Sequence, residues 1–405
     1  MLQNHSVGVS SVREHNQLAI LETIYNKGSI SRAMLAKELH ISKPAVADNL
    51  EYLIAAGLVI EAGEGESAES GGRKPRMLRF DGSGRYVISI DLNFSRPLFV
   101  LGNLNNEIVS EFEVSVNESA DMKAYLSIIK KGIQILMASR GLEDENLVCI
   151  AISSPGIFDS EGNLRDRNPS YRGIPWANID IRPYLSENFD VPVIVRNDIH
   201  AATIGEWAQG NSTEDMIFLG CGLGVGAGIV LDGELLEGKN FSAGQLYNYT
   251  DFAGFKAGMS LEDRICMNAL LQKSEAALSN GSAKYLKASG DNGLCFQDIV
   301  YAYEKGDPIV LDMIYEIGLE LAVVVSNMMN FLSIRNLVIG GEYAVFGDCL
   351  LNAFDDFFSC QTASKPQLGV SLNGRYSGIY GLMYLARNNY FRVVCKRPVL
   401  SKAEV

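Results

Sequence analysis

The apolar positions near the start of the chain recur at the spacing of short amphipathic helices. In residues 17–26 they fall on one helical face. Ser31 and Ser42 are predicted N-caps of two further helices, and Pro44 lies in the first turn of the second, where a missing N–H costs little. The side chains predicted to face the core are Met34, Leu35, Leu39, Val46, Leu50 and Leu53. Two short helices joined by a tight turn at His40-Ile41 predict a helix-turn-helix.

A β-hairpin is predicted directly after these helices. Residues 58–60 and 77–80 have strand patterns, and the segment between them is rich in glycine. Four basic residues crowd into seven positions of this hairpin: Arg73, Lys74, Arg76 and Arg79. Such a cluster is a local electrostatic footprint for nucleic acid, so the hairpin is predicted to be a DNA-binding wing. The alternative is a small helical domain that makes protein contacts.

The second helix of a helix-turn-helix enters the major groove with its N-terminal residues toward the base edges. We therefore expect DNA contacts from Ser42, Lys43, Ala45, Val46 and Asn49. Asn49 can pair with adenine, and Lys43 suits a phosphate or a guanine. From the wing we expect contacts from Arg73, Lys74 and Arg76, with Arg73 suited to a narrow minor groove.

From Tyr86 onward, buried strands alternate with helices. An apolar strand ends at Asp91, a hairpin with an Asn-Asn turn follows, and a helix is predicted near 121–139. Helices dominate residues 257–330, and a last helix lies near the C-terminus. This alternation predicts an α/β architecture.

Composition and charge divide the chain in the same way. With 405 residues and 47% hydrophobic side chains it can form two or three globular domains, which excludes a disordered protein. The net charge is −13, yet residues 1–85 contain ten basic and ten acidic side chains. The acidic charge therefore lies in the body of the chain, which DNA would repel, and the neutral N-terminal segment is the one suited to bind DNA.

Cysteine usage and hydropathy indicate a cytoplasmic protein. The seven cysteines are odd in number and form no CxxC pair, which favours reduced thiols over a disulfide framework. No apolar run is long enough to span a bilayer, so no membrane contact is expected. The N-terminus lacks the basic start and apolar block of a secretory signal.

Five segments, in order, resemble the ROK family (repressors, open reading frames and sugar kinases), in the branch of xylose-operon and N-acetylglucosamine repressors. They are GGRKP, SSPGIFDSEGNL, VPVIVRNDIHAATIGEW, GVGAGIVLDGELLEG and VIGGEYAVFG. The resemblance implies an actin-like (ribonuclease H-like) sugar-kinase fold of two α/β lobes, and a homodimer or higher oligomer. We expect a winged helix-turn-helix over 1–82, a first lobe over 83–200 and a second over 201–405, whose C-terminal helix returns to the first.

The resemblance also identifies what the nucleotide site lacks. Kinases of this family carry Asp-x-Gly-Gly-Thr on the first strand, where glycines let the backbone approach the phosphates. Here Asp91 is followed by Leu92, Asn93 and Phe94, although the second loop keeps Gly222, Gly224 and Gly226. We therefore expect neither ATP as a cofactor nor kinase activity. Arg96 is suited either to bind an anion or to serve as an ordinary surface residue.

The sugar site is predicted from the same resemblance. Asp198 matches the catalytic base, and without a nucleotide we expect it to hydrogen-bond the sugar together with Asn197; the alternative is that Asn-Asp caps the following helix. Gln245 and Asn248 stand where the family has glutamate and a zinc-binding histidine, so no metal is expected. Glu262 matches the last sugar-binding glutamate. Two more candidates are Gly156, and Tyr247, which can stack on the sugar or fill space.

The sequence thus predicts a dimeric transcriptional repressor that binds operator DNA and senses a sugar or sugar derivative. Two alternatives remain open: an active sugar kinase with an appended DNA-binding head, and a regulator whose effector is a protein partner. The sequence does not distinguish repression from activation.

Overall fold

The computed structural model describes nine stretches of the chain, which together hold three larger sheets and one two-stranded sheet. They are residues 9–65, 74–92, 96–116, 121–166, 179–210, 214–247, 249–290, 293–360 and 365–396. In these stretches no helix is both long and apolar enough to cross a membrane.

The N-terminal unit is a winged helix-turn-helix, as predicted. Its elements are α1 (Val9–Lys27), β1 (Ile30–Ser31), α2 (Arg32–Glu38), α3 (Lys43–Ala55), β2 (Val59–Glu64) and β3 (Arg76–Phe80). The side chain of Ser31 accepts a hydrogen bond from the Met34 N–H, and that of Ser42 accepts one from the Ala45 N–H, so both predicted caps are confirmed. β3 pairs antiparallel with β1 and β2. Met34, which we expected in the core, is 52% exposed, because Leu35 supplies the buried contact of α2.

The second sheet has the order β10-β7-β4-β5-β6. The elements of this region are β4 (Tyr86–Asp91), β5 (Leu98–Asn103), β6 (Ile108–Glu113), α4 (Met122–Ser139), β7 (Leu147–Ser154), β8 (Ile157–Phe158), β9 (Leu164–Asp166), α5 (Ile181–Asn188) and β10 (Val193–Asn197). β4, β7 and β10 are parallel, whereas β5 and β6 form the predicted antiparallel hairpin. Helices α4 and α5 cover one face of the sheet through an apolar core.

The third sheet, β13-β12-β11-β14-β15, repeats this arrangement: β11, β14 and β15 are parallel, and β12 and β13 extend the sheet through antiparallel pairings. Its strands are β11 (Met216–Cys221), β12 (Val225–Leu231), β13 (Glu234–Leu235), β14 (Asn336–Gly340) and β15 (Gln367–Val370). The helices of this region are α6 (Asp198–Gln209), α7 (Phe252–Ala257), α8 (Leu261–Ile265), α9 (Met267–Ser279), α10 (Phe296–Glu304), α11 (Pro308–Leu332) and α12 (Gly347–Ser359). The repetition gives two similar lobes, each built around its own apolar core.

A last helix, α13 (Ser377–Lys396), connects all three units. It packs along α6 and against β7 and β4. Near its C-terminal end, Phe391 and Val394 are buried in the core of the winged helix-turn-helix. There Phe391 meets Tyr25 and Phe80 edge to face, with ring centroids 6.3 and 5.3 Å away. The N-terminal unit is therefore packed on the body of the protein through a shared apolar core.

Candidate functional site

The start of α3 presents several of the predicted DNA-contacting residues to solvent. Ser42 and Lys43 are exposed and Ala45 is half-buried. Val46 and Asn49, however, are 1% and 5% exposed, and the Asn49 side-chain N–H donates to the Ala45 carbonyl at 2.7 Å. The expectation that these two side chains reach the bases is corrected, because their side of the helix faces the core.

Two further exposed residues on α3 were not among the expected DNA contacts. Ala47 and Asp48 lie on the solvent side, one helical turn beyond Lys43 and Pro44. The signal for them was the same periodicity, since residues three and four positions apart share a face. A small side chain beside Lys43 lets the helix approach a duplex, and the carboxylate of Asp48 can accept a hydrogen bond from a cytosine amino group.

The wing carries less free positive charge than the sequence indicated. Lys74 is exposed, but the Arg76 guanidinium pairs with Glu61 at 2.6 Å. Glu61 also pairs with Arg32 at 3.3 Å. Arg73 lies outside the described residues. The positive charge of Arg76 is thus offset by a neighbouring acid.

A cavity of about 270 Å³ opens between the two larger sheets. It lies at the carboxyl ends of parallel strands, where open α/β sheets bind ligands. Asp91 ends β4, Asn197 ends β10 and Glu342 follows β14. All three line the cavity together with Asp198 and Gln245. The volume is close to the lower end of the range of about 300–1,000 Å³ for small-molecule sites, so the cavity suits a small ligand.

Burial shifts the acidity of the two aspartates in this cavity. It raises the pKa of Asp91 to about 7, partly offset by the hydrogen bond from the Ser153 hydroxyl at 2.8 Å, with Asp198 and Glu342 adding repulsion. Burial also raises the pKa of Asp198 to about 6, although the hydrogen bond that the Ile199 N–H donates to this carboxyl at 2.9 Å lowers it in part. Near neutral pH each group exists in both forms, so each can accept a hydrogen bond from a hydroxyl or donate one.

Asn197 has a structural role as well as a place in the cavity wall. Its side-chain oxygen accepts from the His200 N–H at 3.1 Å, which makes Asn197 the N-cap of α6. Its amide N–H donates to the Gly156 carbonyl at 2.9 Å. The capping alternative is therefore realised by Asn197, while Asp198 faces the cavity. The expectation that Gly156 contacts a ligand is corrected. Gly156 is buried and does not line the cavity, whereas its neighbour Pro155 does.

Glu262 lies against the glycine-rich turn. It is 9% exposed, and its carboxylate accepts from the Val225 N–H at 3.1 Å. This bond braces the glycine-rich turn between β11 and β12, and the residue is not part of the cavity lining. This bond uses one oxygen of a carboxylate that can accept several hydrogen bonds, so the sugar contact of Glu262 stays a prediction.

Gln245 lies at the junction of the inner cavity with an outer groove. The groove, of about 610 Å³, is lined by Gln245 and Tyr247 and by the basic residues Arg165 and Lys239. Asn248, the remaining predicted ligand contact, lies outside the described residues. Among the described residues no group of three His, Cys, Asp or Glu side chains is placed to hold a metal ion.

Glu342 and Arg375 also line the cavity and were not predicted. A carboxylate directly after the Gly-Gly turn of a parallel strand was the available signal for Glu342. Arg375 lies just before α13 and pairs with Glu113 and Glu111 of the first lobe. Its positive charge is thus shared with two acids outside the cavity.

Comparisons with known proteins agree with this architecture. The sequence model of the ROK family matches residues 87–389, and that of a winged helix-turn-helix DNA-binding domain matches residues 13–60. A xylose repressor of Caldicellulosiruptor bescii is 25% identical over 356 residues, which cover 86% of this chain and 87% of the repressor.

Two solved structures have the same fold. A crystal structure described as a ROK family transcriptional regulator, homolog of the E. coli MLC protein, matches with a TM-score of 0.76 and 21% identity, over 95% of this chain and 99% of that one. A ROK family glucokinase from Streptomyces griseus in complex with glucose and AMPPNP matches with a TM-score of 0.63 and 20% identity, over 75% and 99%. The predicted two-lobed, actin-like fold behind a winged helix-turn-helix is confirmed.

Proposed function

Since the chain belongs to the ROK family and carries a winged helix-turn-helix ahead of its ROK domain, we propose that it is a transcriptional repressor that releases operator DNA when a sugar or sugar derivative binds its cleft. The genes under its control would serve carbohydrate metabolism. The observation that carries the proposal is α13, because one helix lines the cavity at Ser377 and Gly378 and enters the DNA-binding unit at Phe391.

The sugar half of the proposal rests on the polar groups of the cavity. Asp91, Asn197, Asp198 and Gln245 converge there, and carboxyl and amide groups are suited to a ring of hydroxyls. Asn248 remains a proposed contact of the same site. Because a relative is a xylose repressor, xylose is the first sugar to test.

The DNA half rests on the exposed start of α3 and on the wing. Ser42, Lys43 and Ala45 would meet the major groove, while Arg73, Lys74 and Arg76 would meet the backbone and minor groove. A homodimer would place two such units on a two-fold operator. Because phosphate contacts release counterions, DNA affinity should fall steeply as salt rises.

The two halves are coupled through closely packed helices. α6 begins beside the cavity at Asp198 and packs along α13. At their crossing, a Cβ on Gly205 would overlap the Ser377 carbonyl, and one on Gly381 would overlap the Ala201 carbonyl. A sugar that shifts α6 must therefore move α13 as well. Regulation then requires only that the sugar bind the two arrangements with different affinity.

Loss of kinase activity is part of the proposal. The segment after Asp91 has leucine, asparagine and phenylalanine in place of the glycines that admit a triphosphate. The likeness to a glucokinase with bound AMPPNP makes an active kinase the competing function. ATP-dependent phosphorylation of xylose or glucose by the purified protein would decide for the kinase; we expect none.

Asp198→Ala tests the division of roles. We expect promoter binding at low salt to stay within about twofold of the native protein, while sugar-induced release is lost, because one hydrogen bond to a charged group is worth about 1.5–3 kcal/mol. The measurement is fluorescence anisotropy of a labelled promoter fragment titrated with sugars. Asp190→Ala, an exposed acid outside the cavity, is the control. Loss of DNA binding by a folded Asp198→Ala protein, or an unchanged sugar response, contradicts the proposal.

A further inference from the structure

Glu342 occupies the side of the glycine-rich turn that faces the cavity. The Leu223 N–H donates to its carboxylate at 3.4 Å. A Cβ on Gly222 would overlap this same carboxylate, and a Cβ on Gly341 would overlap the Cys221 carbonyl. Gly341 also has a φ of 77°, which favours glycine. The two glycines thus let the loop after β14 bring an acid against the turn.

Backbone N–H groups of glycine-rich turns are the usual place for a phosphate. In this protein an internal anion already accepts from that turn. A phosphoryl group could reach the Leu223 N–H only by displacing the carboxylate of Glu342. Gly222 therefore serves the approach of Glu342, and its presence does not indicate a vacant phosphate site.

The charge of the cavity also disfavours a phosphoryl group. Its charged lining residues are Asp91, Asp198, Glu342 and Arg375. Arg375 is bonded to Glu113 and Glu111, so little of its charge is available to a ligand. The repulsion from Glu342 is one cause of the raised pKa of both aspartates. Like charges in a partly buried site repel strongly, so an added anion would be disfavoured.

We propose that Glu342 is a specificity residue that makes the cavity accept an uncharged sugar and reject phosphorylated sugars and nucleotides. The inference rests on the proposed function in one respect, which is that this cavity is the effector site. A neutral sugar donates its hydroxyls to the carboxylates and leaves Glu342 on the turn. A phosphorylated ligand would have to face three carboxyl groups and compete with Glu342 for the backbone N–H.

Titration calorimetry of the full chain with pyrophosphate tests the role of Glu342 directly. Glu342→Ala removes the carboxylate and opens the turn, so we expect pyrophosphate to bind this variant at least about tenfold more tightly than the native protein. Glu342→Gln keeps an acceptor for the Leu223 N–H but removes the charge, and it should show an intermediate gain. Glu316→Gln, an exposed acid on α11 outside the cavity lining, changes the net charge equally and should behave as the native protein.

Two results would overturn the inference. The first is native protein that binds pyrophosphate as tightly as Glu342→Ala. The second is no gain in either Glu342 variant when circular dichroism and thermal melting show both to be folded. The pyrophosphate result is independent of the repressor proposal. If no sugar changed promoter binding, the repressor proposal would be refuted, and the comparison of pyrophosphate affinities would still stand.

Discussion

At the scale of single residues, the cavity is shaped by carboxyl groups held where their charge is costly. Asp91 lies at the end of a buried strand and keeps one hydrogen bond, from Ser153. Its pKa is raised by burial to about 7, above the ordinary value of 3.8. When folding raises the pKa of a group, the group makes its full contribution to stability at pH values below its unfolded pKa. This contribution is lost as the pH rises through the folded pKa.

Asp91→Asn should remove this pH dependence. An amide of the same shape still accepts from Ser153 and does not titrate, so stability relative to the native protein should shift in favour of the variant by about 2 kcal/mol between pH 5 and 7. Urea unfolding followed by circular dichroism across this range measures the shift. Asp190→Asn, which changes an exposed acid, provides the baseline. A constant difference between variant and native protein across the range would show that Asp91 is not the titrating group.

At the scale of secondary-structure elements, the contact between α6 and α13 is decided by glycines. Gly205 and Gly381 place backbone against backbone, which removes the space that side chains usually keep between helices. The same contact ties the start of α6, where Asp198 lies, to the helix that reaches the DNA-binding unit. Such a contact leaves little freedom for one helix to move alone.

Gly205→Ala should therefore separate the two helices. Its methyl group meets the Ser377 carbonyl, and overpacking of this kind costs about 1–3 kcal/mol. We expect a lower melting temperature and a weaker effect of sugar on promoter affinity. Gly84→Ala is the matched control, because a Cβ there meets open space. If both variants melt and respond like the native protein, the close helix contact does not transmit the signal.

At the scale of the whole molecule, the winged helix-turn-helix is held to the body by a shared apolar core and several hydrogen bonds. Phe391 is 1% exposed in the N-terminal core, and the Tyr52 hydroxyl donates to the Val394 carbonyl at 2.8 Å. Arg85 donates to the Ala56 and Gly57 carbonyls and to the Tyr390 hydroxyl. These contacts link the DNA-binding unit to the position of α13.

Phe391→Ala should uncouple the N-terminal unit from the lobes. Removal of a buried phenylalanine costs about 3–5 kcal/mol, and here the loss falls on the interface. In calorimetry we expect a separate transition at lower temperature, and in anisotropy a sugar response that is reduced while DNA is still bound. Phe331→Ala removes a ring that is 89% exposed and should change neither measurement. A single unshifted transition for Phe391→Ala would refute the coupling.

The sequence by itself determined the elements that depend on local interactions. The caps at Ser31 and Ser42 were predictable because capping bonds join residues three positions apart. The glycine-rich turn was equally visible, and the family resemblance pointed to Asn197, Asp198 and Gln245, which line the cavity.

Only the tertiary structure decided which of these residues are exposed or line the cavity. Asn49 lies on the core side of α3, and Glu262 accepts a hydrogen bond from the Val225 N–H at the glycine-rich turn, because burial depends on what packs against each face. Glu342 lies on the glycine-rich turn, and Phe391 lies in the N-terminal core. Both positions depend on contacts between residues far apart in the chain. Local sequence cannot fix such contacts, since they exist only once the lobes and the last helix have come together.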